Sequence, residues 1–403
     1  MTTIQAPLAR YAARFHSLAG DRHHVASPLG AWLLAALCAP AAAGKTADDL
    51  AGALGVDLAT ARATAAALLD DPHPAVLSAA GLWLRDEPTP GVAGWLAALP
   101  AGVETGPLPS QAALDAWAER HTLGLIGKMP VRISPETLLV LATALATKVS
   151  WIEPFTLAPA ARLGAASPWR DGVAQVLTTP GGERGHEAFV ARVPRLGDVA
   201  VHTGFAAEGL RVTSVIAPAD APPVDVMTAA YDLAAGQVTR TSLFDLPLGE
   251  GPLWTITEEP VRTTAPEGRD ERHTAVLPAW SVTSEHDLDR AELGLPAAAA
   301  AAGHALGSRG PHAAVQSAVA RYTRVGFEAA AVSAMMVATG MPSMRDGVRR
   351  TAELRFGHPY AVVAVADRPW RDGWQPEPTA GAAWLGLPVF SAWVAEPDDA
   401  TGR

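Results

Sequence analysis

The residues able to do chemistry are scattered, and each short pattern falls short of a site. "GKT" at 44–46 ends like a phosphate-binding loop, but Ala39 stands where the second glycine is needed. Without that glycine the backbone amides cannot wrap a phosphate, so the three residues read as the start of a helix. His23 and His24 are adjacent and point apart on a helix or a strand. No HxxxH or HExxH pattern sets two imidazoles on one helical face, and Cys38 has no second cysteine to assist, so no metal site is expected. No GxSxG turn presents a nucleophile, and "GGERG" (181–185) lacks the strand and helix of a dinucleotide loop. Read directly, the sequence offers no catalytic site. Cys38, on an apolar helical stretch, reads as a buried structural thiol.

The elements that would position any site divide along the chain. Leu8, Tyr11, Ala12 and Phe15 share one face of a helix over residues 5–19. Ser27 and Pro28 open a second helix as N-cap and first-turn proline, and Thr46, Asp48 and Asp49 give a third its acidic first turn. "AAGLWLRD" (79–86) alternates as a strand does, and Leu114, Trp117, His121 and Leu125 suggest another helix. "LLVLATALATKVSW" (138–151) fits a helix or a buried strand. Beyond residue 170 short β-like segments recur, from "AFVARV" to "LPVFSAWVAEP". Helices first and strands later predict an α+β protein.

Composition narrows the partners. The chain has 403 residues, 49% hydrophobic and 18% charged, with 34 prolines and 36 glycines spread without a linker-like cluster. A folded protein is the expectation, of one large domain or two ordinary ones, and the absence of a linker weakens the two-domain reading. A net charge of −10 argues against nucleic acid, and no apolar run approaches the ~20 residues that cross a bilayer. The first twenty residues have no apolar core of signal-peptide type, which points to a cytoplasmic protein, with export by another route as the alternative.

Several stretches, in order, resemble the serpin family, as a member of bacterial type. They are "SPLGAWLLAALCAPAAAGKTADDLAGALG" (27–55), "LDAWAERHTLGLI" (114–126), "LATALATKVSWIEPF" (141–155), "LPAWSVTSEHDL" (277–288), "GFEAAAVSA" (326–334), and the closing pair "FGHPYAVVAVAD" (356–367) and "GLPVFSAWVAEP" (386–397). The resemblance implies one domain, residues 1–403, of three β-sheets and eight or nine helices with an exposed reactive-centre loop, here about residues 326–355. It implies a monomer that is not an enzyme, needs no cofactor and supplies no catalytic residue, and that inhibits a serine protease as a suicide substrate. The protease cleaves the loop, and the loop then inserts as a new strand of the central sheet.

The resemblance also assigns residues. Gly326, Phe327, Glu328, Ala329, Ala330 and Ala331 match the loop's hinge, and Ser27, Thr143 and Gln316 the cluster that controls sheet opening. Trp151 falls at the breach. Thr143 stands where the family has Asn, and Gln316 where it has His; Arg324 and Val325 replace an acidic pair. Every second inserted side chain must face the core, and Phe327, Ala329, Ala331, Ser333, Met335 and Val337 are uncharged. Phe327 replaces a small hydroxyl residue and is expected to slow insertion by overpacking, at ~1–3 kcal/mol. Counting forward from Gly326 puts the scissile bond at Gly340–Met341; counting back from Pro359 puts it at Val348–Arg349. Arg345, Arg349 or Arg350 would suit a trypsin-like target, and Met341 or Met344 an elastase- or subtilisin-like one. The alternative is a non-inhibitory member acting as a binding or substrate-like protein.

Overall fold

The computed structural model describes residues 4–180, 185–236, 239–308, 310–327, 344–370 and 380–401. Of the sequence-assigned loop, Glu328, Ala329, Ala330, Ala331, Gly340 and Met341 lie outside the described residues, as do Ser333, Met335 and Val337.

Eight α-helices are described: α1 (Gln5–Ala19), α2 (Pro28–Ala36), α3 (Lys45–Leu54), α4 (Leu58–Asp70), α5 (Pro90–Ala97), α6 (Gln111–His121), α7 (Pro223–Ala234) and α8 (Leu295–Leu306). Their starts follow local chemistry. Ser27 Oγ accepts from Gly30 N at the head of α2, with Pro28 in its first turn. Gly44, at φ 53°, turns the chain into α3, where Lys45 pairs with Asp49 at 2.7 Å, so "GKT" is a helix start. At the end of α6, Leu123 and Gly124 take positive φ, and Leu125 falls beyond the helix that its spacing suggested.

Seven strands form the first sheet, in the order β1 (His24–Ala26), β20 (Pro388–Val394), β19 (Tyr360–Ala366), β10 (Leu210–Ile216), β9 (Gly197–Ala206), β8 (His186–Val193) and β11 (Arg240–Thr241). Its strands β19 and β20 are buried along their whole length, the pattern of a sheet covered on both faces. The second sheet runs β12 (Gly249–Glu250), β13 (Trp254–Thr263), β18 (Arg345–Arg355), β14 (Arg269–Leu277), β7 (Gln175–Thr178) and β6 (Thr156–Pro159).

The remaining strands are two parts of a third layer. One part is β3 (Val103–Pro107), β2 (Leu77–Leu84) and β4 (Leu139–Ala146); the other is β15 (Trp280–Asp287), β16 (Val315–Tyr322), β17 (Gly326–Phe327) and β5 (Val149–Ser150). β5 follows β4 in the chain two residues on, so the two parts share one strand line. The ambiguous 138–151 segment is therefore strand. Its odd-numbered residues face α2 and its even-numbered ones, Val140, Ala142 and Ala144, pack under α6 with Trp83 and Trp117. Both faces being apolar is why periodicity alone did not separate helix from strand.

Candidate functional site: a sheet open between two strands

Among the described residues, the sheet is not closed between β4 and β16. β4 pairs with β2 on one side only, and β16 pairs with β15 along its length but with β17 only at Tyr322. The two free edges face a cavity of about 620 Å³ whose wall includes Leu34, Leu141, Leu145, Leu295, Ala298 and Phe390. Unpaired backbone groups on two facing edges are a template for another strand.

β17 wedges into the top of this slot. Gly326 pairs with Ser150, and Phe327 with both Val149 and Tyr322. Because β17 runs antiparallel to β5 and to β16, a strand continuing from Phe327 would run antiparallel to both slot edges. Phe327 is 4% exposed, its ring edge-on to Trp280 at 6.2 Å and Tyr322 at 6.5 Å. Large aromatics give the ring a seat at this position.

The three residues assigned to sheet opening do meet beneath the slot. Ser27 N donates to Gln316 Oε1 at 2.9 Å, and Gln316 Nε2 donates to Ser27 O at 2.8 Å. Ser27 Oγ donates to Val389 O at 2.8 Å, which ties the start of α2 to β20. Thr143 joins through the next turn, its hydroxyl donating to Gly30 O at 3.1 Å. The amide of Gln316 both donates and accepts, so one side chain bridges β16 to α2. Cys38 lies on the same wall, buried, with its thiol pushed up to about 12 by burial, and is inert.

Trp151 sits at the top, 2% exposed. Its backbone N donates to Val325 O at 3.1 Å and its indole Nε1 to Thr323 O at 3.0 Å. Phe155 N donates to Arg324 O at 2.9 Å. Gly204 makes room for the indole: a Cβ there would stand 3.1 Å from its ring. Sequence reasoning did not pick out Tyr322, Trp280 or Phe155 as the hinge's neighbours, since they come from three distant segments and carry no common pattern.

The far end of the loop is fixed differently from expectation. Val348 and Arg349 lie inside β18, opposite Pro260 and Glu259 on β13 and opposite Arg269 and Asp270 on β14. Buried Asp270 accepts from Arg349 Nε and Arg272 Nε, each at 2.9 Å. Arg350 adds a 3.2 Å pair to Glu258. A bond laddered on both sides is not presented to a protease, so Val348–Arg349 is corrected from scissile-bond candidate to strand interior, and residues 345–355 of the expected 326–355 loop are strand. Gly347 serves the same strand: a Cβ there would meet Gly268 O at 2.2 Å.

Comparison with solved structures places this architecture. The chain is similar to thyroxine-binding globulin in complex with thyroxine (TM-score 0.62, 13% identity, covering 98% of this chain and 99% of that one). It is similar to the native-state thermophilic serpin tengpin (0.63, 12%, 98% and 93%) and to Serpin48, described as a highly specific serpin in the insect Tenebrio molitor (0.61, 14%, 98% on both sides). The fold is thus the serpin fold, an α+β architecture. No family model and no curated protein matches the sequence. Among the described residues no group of His, Cys, Asp or Glu could hold a metal ion, and no single helix is long and apolar enough to cross a membrane.

Proposed function

We propose that the protein inhibits a serine protease as a suicide substrate, its loop entering the β4–β16 slot as a new strand after cleavage. The observation that carries this reading is the seating of Gly326–Phe327 at the top of a two-edged slot that no other described residue fills. Stepping down both edges in the same register, residue 329 falls opposite Ala320, 331 opposite Ala318 and Leu145, and 333 opposite Gln316 and Thr143. The inward-facing positions are thus Ala329, Ala331 and Ser333. Each is small enough for the slot, and the Ser333 hydroxyl would arrive at the polar cluster, where it can bond. Glu328 takes the outward face, where its charge stays in water.

Insertion needs no cofactor and no catalytic residue from the inhibitor. The energy comes from completing two ladders that the described residues leave open. The scissile bond carried forward is Gly340–Met341, with Met344 and Arg345 as flanking alternatives. The test is incubation with trypsin-, elastase- and subtilisin-like proteases, followed by denaturing gel and mass spectrometry. An SDS-stable complex with cleavage between residues 328 and 345 supports the reading; clean cleavage there with no complex for any of the three classes removes it.

One observation favours a second reading, a non-inhibitory binding protein. A pocket of about 210 Å³ lies between α1, α7 and β19, with Arg10 and Asp232 at its polar side and Val363 and Val365 at its floor. Cleavage without complex formation, joined to saturable uptake of a small amphipathic ligand, would select it.

A further inference from the structure

Behind the hinge, β8 and β9 bring two buried histidines into contact. His186 is 4% exposed and His202 is fully buried. Their rings stack at 5.3 Å, with His186 Nδ1 3.2 Å from His202 Nε2. His186 Nε2 lies 2.7 Å from Glu153 O. A carbonyl only accepts, so Nε2 carries the hydrogen and Nδ1 of the neutral ring is bare. His202 must then donate through Nε2, which leaves its Nδ1 bare, and that atom finds no partner among the described residues.

This pair has no room for an extra proton. A proton on His186 would set two N–H groups head to head. A proton on His202 would bury an N–H at Nδ1 that nothing receives. The titratable groups facing the pair are each other and His273 on β14; burial, first, and then His273 oppose a charge, while only the Glu153 carbonyl favours one on His186. Phe155, Phe356 and Ser214, the ladder neighbour of His202, close the remaining sides.

The pair and the hinge grip opposite sides of one short segment, residues 150–155. On one side His186 holds Glu153 O, and both imidazoles pack on Phe155 at 4.5 and 5.5 Å. On the other, Ser150 pairs with Gly326, Trp151 N holds Val325 O, and Phe155 N holds Arg324 O. Phe155 also packs on Tyr322 at 5.7 Å, which seats Phe327.

We propose that the His186–His202 pair is an acid-sensitive latch for the hinge, releasing β17 from the top of the slot when His186 is protonated. Release moves the 150–155 segment, since a charged pair must separate and gain water. Above the ordinary histidine range the latch is closed and the hinge stays seated.

The experiment is amide exchange on the full chain, uncleaved and without protease, at about pH 7.5, 6 and 5, corrected for intrinsic rates. It reads peptides covering 149–155 and 322–327. With His186 held near 4 when seated and about 6.5 when open, one-proton linkage predicts a roughly 30-fold rise in the open population at pH 5 over pH 7.5. His186→Gln keeps a donor and an acceptor but does not titrate, and with fully buried His202 staying neutral its rise should stay below about threefold on the same linkage. Should that variant fail to fold, imidazole NMR of the unaltered protein serves, the midpoint of a histidine titration coinciding with hinge loosening. A flat response, an equal response in His186→Gln, or loosening while both rings remain neutral would overturn the latch. None of these outcomes depends on protease inhibition.

Discussion

Replacing Phe327 with Ala isolates the seat of the hinge. The ring is 4% exposed and held by Trp280 and Tyr322. Truncating a buried Phe costs ~3–5 kcal/mol where the surroundings cannot collapse. Phe327 ends a two-residue strand, so the chain can unseat locally instead of bearing that cost globally, and the lower end applies. A loss of about 3 kcal/mol raises the open population of the hinge roughly 100-fold, at 1.4 kcal/mol per tenfold. Borne by the whole fold instead, it would lower Tm by about 3–4 °C, from ~2.1 cal/mol/K of unfolding entropy per residue. The assay pairs amide exchange of residues 149–155 and 322–327 with a thermal melt. We expect fast local exchange, a Tm change under about 1 °C, and more protease turning over without complex. Unchanged local exchange with the full Tm loss would refute the seat and return Phe327 to the ordinary core.

Three further outcomes follow from named contacts. Ser333→Arg would bring a guanidinium to the Ser27–Thr143–Gln316 cluster on insertion; cleavage should proceed at an unchanged rate while complex formation and the stability gain after cleavage are lost. Asp270 is kept ionised below the usual carboxylate range because, against the raising effect of its burial, Arg349 and Arg272 hold its charged form. Asp270→Asn should cost ~2–3 kcal/mol, as charged hydrogen bonds do, and a melt should show a fall of about 2–4 °C. Where α1 packs on the edge of the first sheet, His16 bonds His24 at 2.8 Å and Ser391 at 2.6 Å, and burial holds His24 down to about 4 and His16 well below its usual value. The unfolded chain takes up these protons first, so stability should be full above about pH 6.5 and fall as pH drops toward 4, read as Tm against pH.

Local signals carried the helices well, because they are local: Ser27 caps α2 through Gly30 N, and Gly44 turns into α3. The strand 139–146 was not decided by its pattern, since Leu141 and Leu145 face one core and Val140, Ala142 and Ala144 another. The cluster of Ser27, Thr143 and Gln316 was reachable only through resemblance, since 289 residues separate Ser27 from Gln316 and nothing in either neighbourhood points to the other. The far limit of the loop misread for the same reason. Val348 and Arg349 look like exposed, cleavable sequence, and only the long-range pairing of β18 with β13 and β14 hides them. The His186–His202 pair gave no signal at all; sixteen residues and a hairpin bring the rings together.

The central claim is that the slot is a vacant strand position for the chain's own loop, and amide exchange before and after cleavage between residues 328 and 345 tests it most directly. The account predicts that slot-facing amides of Leu139–Ala146 and of 315–321 pass from fast to strongly protected exchange. An eight-residue inserted strand bonded on both sides makes roughly sixteen hydrogen bonds, and at ~0.5 kcal/mol each they supply ~8 kcal/mol, enough to raise Tm by about 10 °C. Cleavage that leaves both edges exchanging as before, with Tm unmoved, would contradict it.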